Sequence, residues 1–121
     1  MREPSQNAPP AAAERRVYVR VPFLRPVTVS APPDGRPAEA RTLDISLGGV
    51  GLTCSVPFRK GQVVVVTFHL QDPKLGAVVE RVEGRVANFQ ADPDANRVGI
   101  EFLEPLHSAA NPALTRAVGR L

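Results

Sequence analysis

Asp44-Ile45-Ser46-Leu47-Gly48-Gly49-Val50-Gly51-Leu52 places two alternating apolar runs on either side of a tight centre. In an extended chain Leu43, Ile45 and Leu47 share one face, while Asp44 and Ser46 share the other. Gly48 and Gly49 permit a turn or bulge with positive φ and leave bare backbone open to close approach. Val50 and Leu52 then resume the alternation, so the stretch reads strand, turn, strand. A carboxylate and a hydroxyl on an exposed face beside bare backbone can hydrogen-bond a planar polar ligand. The same residues also suit an ordinary hairpin whose Asp and Ser cap the turn.

Working outward, the pattern repeats. Leu24 to Ala31 alternates Val27 and Val29 with Thr28 and Ser30, and Pro32-Pro33-Asp34-Gly35 turns the chain. Glu39 to Ser46 enters the opening stretch and Gly49 to Ser55 leaves it. After a turn at Pro57 to Gly61, Gln62 to Leu70 is apolar enough on both faces to be a central strand. Asp72-Pro73-Lys74-Leu75-Gly76 turns the chain again. Val78 to Gln90 is a long strand with Gly84 marking a bend or bulge, and Asp92-Pro93-Asp94 closes it. Arg97 to Leu103 is the last strand, with Val98, Ile100 and Phe102 inward and Arg97 and Glu101 outward. Asn111-Pro112 reads as the N-cap and first position of a short helix, Pro112 to Val118, ending at Gly119. Six short strands between Pro/Gly turns predict an all-β antiparallel barrel or sandwich with a short C-terminal helix.

A chain of 121 residues is sized for one domain, with no need of a disulfide or metal staple. Residues 1–13, rich in Pro, Ala and polar side chains, read as a disordered leader. Residues 14–106 read as the barrel domain with a basic arm at 14–23, and 107–121 as a tail carrying the helix. Fifteen basic and twelve acidic residues leave a formal charge of +3, a mild excess that by itself names no partner. The single cysteine, Cys54, allows no intrachain disulfide and suits a reducing cytoplasm. No signal peptide or membrane-length apolar run is visible, so no membrane partner is expected. His69 and His107 lie in no catalytic motif, and Cys54 sits on an apolar strand where cysteine usually acts as a small hydrophobe. Metal-ligand spacing, a phosphate-cradling loop and a dinucleotide glycine fingerprint are all missing. The chain reads as a binding protein, not an enzyme, with no metal or cofactor.

Upstream of the opening stretch stands Arg15-Arg16-Val17-Tyr18-Val19-Arg20. The pattern Arg16-x-x-x-Arg20 followed by Asp44-x-Ser46-x-x-Gly49 resembles the two-part signature of PilZ domains, bacterial receptors for cyclic di-GMP. Val21-Pro22, Lys60-Gly61 and Val98-Gly99-Ile100-Glu101-Phe102 fit as well, and the likeness runs from about Glu14 to Leu106. It implies a six-stranded antiparallel β-barrel and a cyclic di-GMP site formed by Arg15, Arg16, Arg20, Asp44, Ser46, Gly48 and Gly49. The chemistry agrees. Arginine can grip a phosphate or the O6/N7 edge of guanine in two-pronged fashion and can stack on a purine. Asp44 can accept from guanine's N1–H and N2–H₂ edge, and Ser46 can add a hydrogen bond.

By the same likeness, the residue before the first motif arginine influences whether one or two ligand molecules bind. Arg15 there predicts two. The function that follows is a stand-alone receptor that signals to an unidentified effector protein as its arginine arm becomes ordered. The alternative is a protein-interaction module of the same fold that binds no nucleotide. A small basic barrel binding RNA or single-stranded DNA ranks below both, because basic and aromatic residues are not interleaved. No nucleic-acid partner is expected.

Overall fold

The computed structural model describes residues 18–31 and 36–120. The leader at 1–13, arm residues 14–17 including Arg15 and Arg16, and the turn at Pro32-Pro33-Asp34-Gly35 lie outside the described residues. The strands are β1 (Val21–Pro22), β2 (Pro26–Ser30), β3 (Ala38–Ile45), β4 (Gly49–Cys54), β5 (Val63–Asp72), β6 (Gly76–Gln90) and β7 (Asn96–Phe102), followed by one helix, α1 (Pro112–Arg120). Every pairing is antiparallel. The ladder runs β3-β2-β5-β6-β7-β4 and returns to β3, closing a six-stranded barrel, with β1 added on β3. Closure leaves the six barrel strands without a free edge.

Alternation decides what fills the barrel. Val64, Val66, Phe68 and Leu70 of β5 point inward, as do Val98, Ile100 and Phe102 of β7. Val27, Val29, Val50, Leu52, Val82 and Val86 join them. The outward residues of β5 are half-buried or exposed, so β5 is a one-sided strand and not a doubly buried one. Cys54 is part of the core, and so is Phe58, whose place beside a turn does not expose it. The irregularity in β6 falls between Val86 and Asn88, not at Gly84, which pairs in register with Phe102.

A second irregularity lies in β3. Thr42 pairs with Leu52 and Asp44 with Gly51, so Leu43 is an extra residue on its strand. The bulge breaks the simple alternation. Thr42, not Leu43, is fully buried, and Leu43 sides with Asp44 while Ile45 stays in the core. Thr42 Oγ1 accepts the Arg25 N–H at 2.8 Å and donates to the Phe23 carbonyl, which satisfies a buried hydroxyl.

The helix closes one side of the molecule through Ala113, Leu114 and Val118, all buried. Its cap is not the Asn111 side chain, which donates instead to the Arg81 carbonyl. Glu80 on β6 takes that role, accepting the N–H groups of Ala113 and Leu114 at 2.9 and 2.8 Å. A carboxylate on two buried donors that have no partner within the helix satisfies both and complements the positive end of the helix dipole. No helix of the described residues is long and apolar enough to cross a membrane.

Candidate functional site

Glycines shape the turn from β3 to β4, though not through positive φ. Among the described residues only Gly61 and Gly76 have that conformation. Gly49 is needed for room: a Cβ there would stand 2.5 Å from the Ile100 carbonyl oxygen on β7. At Gly48 a Cβ would stand 2.7 Å from Cδ2 of Tyr18, so the Tyr18 ring lies directly on this turn. Ser46 closes the turn from inside. Its Oγ accepts the Gly48 N–H at 3.1 Å, and its own N–H donates to the Gly49 carbonyl at 2.9 Å. Ser46 is therefore only 2 % exposed, where simple alternation puts it on the open face beside Asp44. The turn is tied to its surroundings by the Phe102 N–H on the Gly48 carbonyl and the Leu106 N–H on the Leu47 carbonyl.

Asp44 does face outward. Arg20, in the segment leading into β1, donates to its Oδ1 through Nε at 3.1 Å and Nη2 at 2.6 Å. β1 brings the two together, since Val21 pairs with Ile45 and Pro22 with Asp44. Both side chains are about two-fifths exposed, so the pair adds at most about 1 kcal/mol to stability and stays available to solvent.

This pair stands in a cleft of about 410 Å³ on the outside of the barrel. Arg20, Asp44, Ser46, Gly48 and Gly49 all line it, which brings together every motif residue within the described chain. Tyr18 and Leu43 complete the near side. The far side comes from β6 and β7 through Asn88, Arg97, Gly99 and Glu101. Sequence reasoning assigned no site role to Tyr18, Asn88 or Arg97. The available signal was Arg97 in outward register on a strand that can pair beside β4, but only barrel closure shows that it does. Cys54 lies away from this chemistry. Burial pushes its thiol pKa up, and Sγ–H donates to the Val56 carbonyl at 3.0 Å, so it is a poor nucleophile at neutral pH.

The chain matches the family model for the PilZ domain over residues 14–119. No curated protein matches its sequence. Among solved structures, it is similar to the Bacillus subtilis inhibitor of motility MotI/DgrA, with a TM-score of 0.66 at 18% identity, covering 85% of this chain and 49% of that one. It is also similar to the PilZ domain of YcgR from Escherichia coli, solved with c-di-GMP. There the TM-score is 0.63 at 18% identity, with 88% of this chain and 91% of that domain covered. A third likeness is to the K. pneumonia MrkH–c-di-GMP complex, with a TM-score of 0.58 at 13% identity and 85% and 51% coverage. The chain thus spans about half the length of MotI/DgrA and MrkH, and nearly all of the isolated YcgR domain. With the family model covering nearly the whole barrel and helix, and the barrel closed as in these structures, the chain belongs to the PilZ domain family.

Proposed function

We propose that this chain is a receptor for cyclic di-GMP that acts by binding and not by catalysis. The observation that carries the reading is the meeting of Arg20 and Asp44 over one open cleft, one from each half of the paired motif. Asp44 offers acceptors to the N1–H and N2–H₂ edge of a guanine, and Arg20 offers a planar fork to a phosphate or to a guanine's O6/N7 edge. Ser46 stiffens the turn and has a hydroxyl hydrogen left to donate into the cleft. Arg15 and Arg16 lie outside the described residues, and we assign them to the ligand's phosphates by the motif alone. On this reading, ligand-driven ordering of the arm passes the signal to an effector protein.

Calorimetric titration with cyclic di-GMP, with GTP and cyclic di-AMP as controls, tests it. Cyclic di-GMP should bind and the controls should not. A charge-assisted hydrogen bond is worth roughly 1.5–3 kcal/mol, so Arg20→Ala should weaken binding about tenfold or more with the fold intact. The same titration counts ligand molecules, for which Arg15 leads us to propose two per chain. A folded parent with no heat of binding would leave the protein-interaction module as the function.

A further inference from the structure

The cleft extends beyond the motif. Asp44 pairs with Gly51, Gly51 with Gly99, and Gly99 with Asn88, so these four residues form one row across β3, β4, β7 and β6. Three steps at the usual strand spacing separate the ends by about 14 Å, longer than any single purine. Asp44 and Arg20 occupy one end. At the other, the Asn88 amide lies flat on Gly99: a Cβ at Gly99 would stand 2.7 Å from both Nδ2 and Oδ1. Arg97, two residues before Gly99, is exposed on the same face of β7 and lines the same cleft. Glu101, two residues after Gly99, also lines it and lies opposite Arg85 in the ladder.

We propose that Asn88 and Arg97 form a second purine subsite, which holds the far base of the dinucleotide, and that Arg97 makes this subsite selective for guanine. The inference rests on the receptor function proposed above. The two side chains differ in what they can distinguish. An Asn amide presents one donor and one acceptor side by side and can flip, so it pairs with the Watson–Crick edge of guanine or of adenine. A guanidinium presents donors only. It matches the two acceptors O6 and N7 of guanine, whereas adenine puts an amino group in the O6 position. Asn88 therefore supplies affinity and Arg97 supplies choice.

The test compares cyclic di-GMP with the mixed guanine–adenine cyclic dinucleotide of the same linkage, which keeps one guanine for the Asp44 end. The parent should prefer cyclic di-GMP by about tenfold or more, the discrimination expected of one two-pronged arginine contact. Arg97→Ala should bring the two ligands to near-equal affinity by weakening cyclic di-GMP alone. Arg97→Lys should do the same, because it keeps the charge but loses the fork. Asn88→Ala should weaken both ligands and leave the preference in place. Thermal melts of each variant check folding, and both side chains are exposed enough to be replaced without disturbing the core. Retention of the parent's preference by Arg97→Ala, or unchanged affinities in Asn88→Ala, overturns the subsite. If cyclic di-GMP binds and Arg20→Ala weakens it, that failure touches the subsite alone. A folded parent that binds neither ligand removes the receptor function and the subsite together.

Discussion

At Gly49 the sheet has no space for a side chain, because the obstacle is the Ile100 carbonyl of the neighbouring strand. Backbone in a closed ladder cannot step aside. Gly49→Ala should cost about 1–3 kcal/mol of stability, as overpacking does, read from the urea midpoint at unchanged slope. Gly48→Ala meets a different neighbour, the Tyr18 ring, a side chain that can re-orient where backbone cannot. It should leave the urea midpoint nearly where it was. Equal losses in the two variants would refute this division of labour. The sequence marks both glycines and offers two reasons, positive φ and close approach, of which the second holds. What approaches is Ile100 and Tyr18, neither of which is near the turn in the chain, so no local pattern could have named them. Ser46 is similar: hydroxyl and turn are both legible, but the choice between facing solvent and closing the turn is made where β3 ends at Ile45 and Ser46 bonds to Gly48 and Gly49.

Between elements, two acids on the β5–β6 hairpin hold α1. Glu80 caps its first turn, a contact of the kind worth about 1 kcal/mol. Asp72 reaches further along, accepting from Arg116 Nε at 3.0 Å while also accepting the N–H groups of Lys74 and Leu75 in its own turn. Burial works to raise the Asp72 pKa, and the Arg116 guanidinium with the Leu75 and Lys74 N–H groups outweighs it, so the carboxyl sits below its usual range. A carboxyl depressed in the folded state stabilises fully above its unfolded pKa of about 3.9, and that stabilisation is lost as pH falls through the lower folded value. Thermal melts across the acid range should therefore show a drop below about pH 4 that Asp72→Asn flattens. The same acid limb in the variant would remove Asp72 as its source. The sequence shows the strands through their alternation and the helix through Asn111-Pro112. It does not show that the cap is Glu80, a carboxylate in register with Val82 and Val86 on the buried face of β6 whose partners arrive only when the helix docks.

Across the whole molecule, the motif half of the cleft is legible because each part is local: Arg20 in one short phrase, Asp44 to Gly49 in another. Asn88 and Arg97 reach the cleft only because the barrel closes β4 against β7. Within the described cleft the charges of Arg20 and Arg97 are offset by Asp44 and Glu101. A ligand with two phosphates then leans on Arg15 and Arg16, and on the proposed reading it should draw them onto the barrel. Trypsin cleavage after Arg15 and Arg16 should slow in saturating cyclic di-GMP, and equal rates with and without ligand would sink the arm mechanism. Finally, the Arg20–Asp44 contact has the form of the interaction it would have to give up. Two N–H donors of one planar group on one carboxylate are what a guanine edge also offers. On the proposed receptor reading Arg20 would be a built-in decoy for Asp44, and recognition would be an exchange: the incoming base would evict the side chain, and the evicted side chain would be freed to grip the rest of the same ligand.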